Sequence, residues 1–174
     1  FYDMAAISGY SDYGAVEITN TANGELYAGS LFGDAIGIYG YSLTGDVSID
    51  NAGDITAYSY AGLADGIFAS GANVEVANSG AIETYGYTWS AGIEAESSDS
   101  TTVINSGEIE ARDNEAIGIA INASGPSSPV RIDNSGSVTA GFAGILASGE
   151  TVTIENSGTI TADSLFAVGA FAAE

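Results

Sequence analysis

The chain has 174 residues, the size of one domain, and 45% of them are hydrophobic, enough for a continuous core. It carries 23 Asp and Glu against two basic residues, Arg112 and Arg131, for a formal net charge of −21. Such a surface repels nucleic-acid phosphates and anionic membranes, and the lack of cysteine and histidine removes disulfides, thiol chemistry, the usual zinc ligand and the neutral-pH base.

No charged-then-apolar leader opens the sequence, and no apolar run is long enough to cross a bilayer. A start at Phe1 rather than Met reads as a processed product or a piece of a larger protein. Residues 1–14 contain Ala6-Ile7-Ser8-Gly9, a strand-like stretch. The expectation is a partial first turn that doubles as an inter-subunit segment, within a single domain over 1–174.

From Val16 onward a motif returns six times, V-x-I-x-N followed by S-G-x-I-x-A. Its asparagines are Asn20, Asn51, Asn78, Asn105, Asn134 and Asn156, separated by 31, 27, 27, 29 and 22 residues. A period of this size is the signature of a solenoid. In the third copy Val74 and Val76 alternate with Glu75 and Ala77, the period of a half-buried strand. Asn78-Ser79-Gly80 is turn chemistry. Ile82 and Thr84 then alternate with Ala81 and Glu83, a loop covers 85–90, and 91–95 make a third strand. Three short strands per copy, with no helical period, predict an all-β, three-sided parallel β-helix of about six turns. The handedness rule for parallel crossovers makes it right-handed.

Stacking the copies predicts the inward columns. The first holds Ile18, Ile49, Val76, Val103, Ile132 and Ile154; the second holds Leu26, Ile55, Ile82, Ile109, Val138 and Ile160. Small residues follow the second: Ala28, Ala57, Thr84, Ala111, Ala140 and Ala162. The third strand supplies Ile38, Ile67, Ile93, Ile119, Ile145 and Ala170. Branched aliphatics suit a pleated, buried surface, and a one-residue slip would turn each column outward. The asparagines form a corner ladder in which stacked amides satisfy backbone that the strands do not reach. The first copy has two extra residues in Asn20-Thr21-Ala22-Asn23-Gly24, so its corner is expected to bulge. Loops are placed after the second strand (29–34, 58–65, 85–91, 112–117, 141–143, 163–168). Others follow the third (41–46, 70–73, 96–100, 122–129, 148–151), with Pro126 and Pro129 in one of them.

The repeats resemble the passenger repeats of bacterial autotransporters and related β-helical surface adhesins. The likeness covers 16–172. It rests on N-S-G-x-I-x-A at Asn78, Asn105, Asn134 and Asn156 and on A-x-G-I-x-A over 64–69. It implies an extracellular, Gram-negative-type, cell-surface setting and an adhesive or scaffolding role. The sequence departs from such passengers in carrying no barrel translocator and no inserted protease, and six storeys give only roughly 30 Å of axis.

Several surfaces are candidates for function. Outward third-strand positions are Tyr39, Phe68, Glu94, Ala120, Leu146 and Phe171, beside a glycine column of Gly37, Gly66, Gly92, Gly118, Gly144 and Gly169. This is either a flat track for another surface or glycine required by a bend. Aromatics gather at the second corner, including Tyr85, Tyr87 and Trp89, where a glycan could stack or subunits could meet. Register places Glu83 over Glu110, Glu25 over Asp54 and Asp133 over Glu155, unfavourable facing charges. Glu83, Glu108 and Glu110 are therefore a calcium candidate, with plain solvated carboxylates of raised pKa as the alternative. No other cofactor is implied.

An enzyme is not expected: serine chemistry lacks its histidine, and a polysaccharide lyase has only two arginines to draw on. Uncapped solenoid ends favour head-to-tail stacking into a filament. The expected function is an extracellular structural subunit. The alternatives are an adhesin fragment binding a glycan or surface receptor and, behind it, a polysaccharide-acting enzyme.

Overall fold

The computed structural model describes residues 4–113 and 115–172, and among them there is no helix. A strand β1 (Met4–Ser11) precedes the first full storey of β2 (Val16–Asn20), β3 (Glu25–Ser30) and β4 (Ala35–Ser42). The second storey holds β5 (Val47–Asn51), β6 (Asp54–Ser59) and the first half of β7 (Leu63–Asn78). The rest of β7, β8 (Ala81–Gly86) and the first half of β9 (Trp89–Asn105) make the third. The fourth takes the rest of β9, β10 (Glu108–Arg112) and β11 (Ile117–Ala123). The fifth is β12 (Pro129–Asn134), β13 (Ser137–Ala140) and β14 (Ala143–Gly149), and the sixth β15 (Thr151–Asn156), β16 (Thr159–Ala162) and β17 (Phe166–Ala172).

Every pairing is parallel and joins a strand to its equivalent one storey away, so the chain is a β-solenoid of about six turns. Face one stacks β2, β5, β7, β9, β12 and β15; face two stacks β3, β6, β8, β10, β13 and β16. Face three runs β1, β4, β7, β9, β11, β14 and β17. The first two inward columns follow the predicted register, Ile18 through Ile154 and Leu26 through Ile160. Their central members Ile49, Ile82, Ile109 and Ile132 are at most 1% exposed. Alternation of one aliphatic inward and one polar residue outward thus produces a single core along the axis.

Three local expectations are corrected, and the bulging corner of the first copy takes a definite form. Residues 70–73 and 96–100 are not loops. β7 and β9 run unbroken around the third corner, with an irregularity between Gly71 and Asn73 in β7. A bulge bends a strand without interrupting it, which fuses faces one and three into one sheet. Pro129 opens β12 rather than lying in a loop, a strand position that tolerates a missing N–H. The extra residues of the first copy close a turn in which the Gly24 N–H donates to the Thr21 carbonyl at 2.7 Å. Gly24 thereby accepts the Asp54 N–H at 2.9 Å, as Gly80 does for Glu108, and the next storey meets a normal corner. Finally, Ile145 pairs with Val168, not Ala170; Ala170 lies beside Ala147, and Phe171 beside Ser148. The valine fills the aliphatic column that an alanine would leave short.

Candidate functional site

The asparagine corner is a one-way hydrogen-bonded line. Asn20 Nδ2 donates to Asn51 Oδ1 at 2.8 Å, and Asn51 to Asn78 at 2.7 Å. The line continues from Asn78 to Asn105 at 2.8 Å, Asn105 to Asn134 at 2.8 Å and Asn134 to Asn156 at 2.7 Å. The second amide hydrogen goes to a glycine carbonyl two residues on, as from Asn51 to Gly53 at 2.9 Å and Asn156 to Gly158 at 3.1 Å. One side chain therefore serves both the storey above and its own corner, which is why no other residue type repeats here. The arrangement is structural and leaves a polarity: an acceptor, Asn20 Oδ1, ends it below, and a donor, Asn156 Nδ2, ends it above.

The glycine column is not an outward track. A Cβ on Gly37 would collide with the inward methyl Cγ2 of Ile55 and come within 2.5 Å of the Gly66 carbonyl oxygen. Gly66, Gly92, Gly118 and Gly144 meet Ile82, Ile109, Val138 and Ile160 in the same way. All five are buried, and each storey passes too close to the next for a side chain there. Gly169 falls outside this column, because it pairs with Leu146 and Ala167 follows Gly144.

Outside the column, face three carries an aromatic run. Tyr39 and Phe68 stack with ring centres 5.3 Å apart, Tyr39 and Tyr41 at 6.4 Å, and Tyr10 and Tyr41 at 5.4 Å. Burial holds the Tyr39 phenol above its ordinary value, with Tyr41 and Glu96 adding to the effect. Beyond Phe68 the same column continues through Glu94, Ala120 and Leu146. The aromatic strip expected at the second corner is divided. Tyr85 stacks on Tyr58 at 5.2 Å and lines, with Tyr87, Asp113 and Glu115, a corner cavity of about 670 Å³. Trp89 instead turns to face three, where it lines a groove with Glu94, Leu146 and Phe171. The corner cavity has the parts to stack a sugar on an exposed tyrosine while carboxylates accept its hydroxyls.

The acidic stacks lie in the predicted register, with Glu83 opposite Glu110, Glu25 opposite Asp54 and Asp133 opposite Glu155. Two of them are bridged by arginine rather than left to a metal. Arg112 reaches Glu83 at 3.3 Å and Glu110 at 2.7 Å; Arg131 reaches Asp133 at 2.8 Å and Glu155 at 3.0 Å. Among the described residues no group of three or more acidic side chains is arranged to hold a metal ion, and Glu83 and Glu110 are paired with Arg112. The hydrogen bonds from Arg112 hold the Glu110 carboxyl below its usual value, opposite to the raised pKa expected.

Sequence patterning missed Asp65. It occupies an otherwise apolar line between Ile36 and Ala91, continued by Ile117 and Ala143. It is 2% exposed, and its Oδ1 has no hydrogen-bond partner. Burial, reinforced by Glu94 and Asp34, lifts its pKa well above the ordinary 3.8. The fold therefore favours the neutral acid. That contribution is complete below the ordinary value and disappears as pH rises through the folded-state value. Asp65→Asn should raise stability at pH 7, because the parent protein must there either hold a buried carboxyl protonated against the solvent or bury its charge. Denaturant melts as a function of pH check this: the gain must vanish below pH 3.8, where aspartate is neutral in both states.

Compared with known proteins, the chain matches no family model, no curated protein and no solved structure.

Proposed function

We propose that the chain is a structural solenoid of an extracellular, cell-surface fibrous assembly, built by head-to-tail stacking of copies. The observation that carries this reading is the register match between the two ends. With β15 of one copy on β2 of the next, Ile154 meets Ile18 and the free Asn156 donor meets the free Asn20 acceptor. With β16 on β3, Ile160 meets Leu26. Val168, 43% exposed, gains cover on the third face.

Face three has one strand more than the other two. Alignment of all three faces therefore requires β1 to release β4 and yield its place to β17 of the preceding copy. The exchange is conservative. Val168 takes the position of Ile7, and Phe171 takes that of Tyr10 under Tyr41. Ala167 takes that of Ala6, facing Leu26, which lacks the branched Cβ that demands glycine elsewhere. β1 is mostly exposed, so its displacement costs little burial. The likeness to autotransporter passengers supports the surface setting. An adhesive role is the second reading, favoured by the corner cavity of Tyr85, Tyr87, Asp113 and Glu115.

Because the chain has no cysteine, a Ser8→Cys, Tyr39→Cys pair can lock β1 onto β4, its neighbours in register. Negative-stain imaging and sedimentation of the unmodified protein should show fibres that lengthen with concentration. The oxidised double variant should stay as single particles and assemble on reduction. Discrete particles of the unmodified protein at every concentration, or equal fibres from the locked form, would overturn the proposal.

A further inference from the structure

Face three carries a groove of about 270 Å³ on its outer surface. Ala120 makes the depression, because it is a small residue set between Glu94 and Leu146 in the outward column. Glu94 and Glu96 form one wall, Leu146 and Phe171 the other, and Trp89 flanks them. The two walls differ in kind, one anionic and one apolar.

Among the described residues the anionic wall has no counter-charge. The sequence holds two basic side chains, and both are engaged elsewhere, Arg112 with Glu83 and Glu110 and Arg131 with Asp133 and Glu155. Glu94 is half-buried, and burial together with Glu96 raises its pKa against the opposing effect of the Trp89 hydrogen bond. A cation in the groove relieves both.

We propose that this groove receives a lysine side chain from a partner polypeptide. The ammonium pairs with Glu94 and Glu96 while the four-carbon stem lies along Leu146 and Phe171. The indole of Trp89 flanks the Glu94 carboxylate and holds it in place by a hydrogen bond. A simple metal ion leaves the apolar wall uncovered, and a purely apolar group leaves the carboxylates unpaired. The four-carbon stem of lysine covers one methylene more of the apolar wall than the stem of arginine, and its compact ammonium can turn to either carboxylate. The chain's net charge of −21 draws such a partner toward the surface.

Trp89 is the sole tryptophan, so its fluorescence reports the groove directly. The probes are acetyl-Gly-Lys-Gly-amide and the same tripeptides with norleucine or arginine in place of lysine, titrated into dilute protein. The lysine peptide should give a saturable change with a Kd on the order of a millimolar, and norleucine should bind at least about tenfold more weakly. Glu94→Gln should weaken the lysine peptide about tenfold, and Glu150→Gln, an exposed loop acid elsewhere, should leave it unchanged. Equal binding of norleucine, tighter binding of arginine, or equal loss in both glutamine variants would overturn the assignment. The comparison of peptides on unmodified protein stands even if Glu94→Gln fails to fold, and it does not depend on filament formation.

Discussion

Replacing Ile109 with Asp is expected to melt the middle of the coil. Ile109 is fully buried, and its column neighbours are Ile82 below and Val138 above. The change removes about 1.5–3 kcal/mol of apolar burial and adds a charge with no cation in reach, for a total beyond about 5 kcal/mol. That is comparable with the whole stability of a domain. Each storey of a solenoid contacts only its neighbours, so the loss starts locally and spreads by uncoupling the halves. Hydrogen exchange should show protection lost first in β8, β10 and β13, with Ile109→Val as the control costing about 0.5–1.5 kcal/mol. Retention of slow exchange in β10 of the aspartate variant would contradict this account of the core.

Gly92→Ala carries the second large effect, from a single methyl. The new Cβ would collide with Ile109 Cγ2 and stand 2.7 Å from the Gly118 carbonyl oxygen. The methyl is part of the packed core and the carbonyl belongs to the next storey, so neither has room to withdraw. Overpacking of this kind costs about 1–3 kcal/mol. Gly29→Ala supplies the contrast: the three atoms nearest its Cβ would all belong to the ring of Tyr27, which is 70% exposed and free to swing. That variant should stay within about 0.5 kcal/mol of the parent protein. Thermal melts of the two side by side separate steric closeness from glycine's general backbone entropy, which both substitutions share. Equal losses would return the column to a matter of chain flexibility.

The inward aliphatic columns and the asparagine line were legible in the residues alone, up to the last turn of face three. Period-two alternation decides which residues point inward, and the repeat decides which of them share a level. Stacking then follows from the hydrogen-bond geometry of any parallel sheet. Asn51, Asn78 and Asn105 repeat because an amide both donates and accepts along the axis, a property of the residue type that needs no coordinates.

Direction and reach were decided only by the folded chain. A repeated glycine announces a tight place without saying on which side; Gly37 and its successors lie against Ile55 and its successors on face two. The final turn was misaligned by matching Gly169 to Gly144, whereas an aliphatic side chain had to fill the site below, and Val168 does. Arg112 and Arg131 neutralise their acidic stacks through long side chains whose ends no periodicity locates. Trp89 and Tyr87 are two residues apart yet serve different faces, because the corner turns between them. Asp65 is buried by neighbours from other storeys. A one-dimensional repeat specifies which residues are equivalent; the direction of each side chain depends on how sharply the backbone turns between faces, and that is a property of the closed coil.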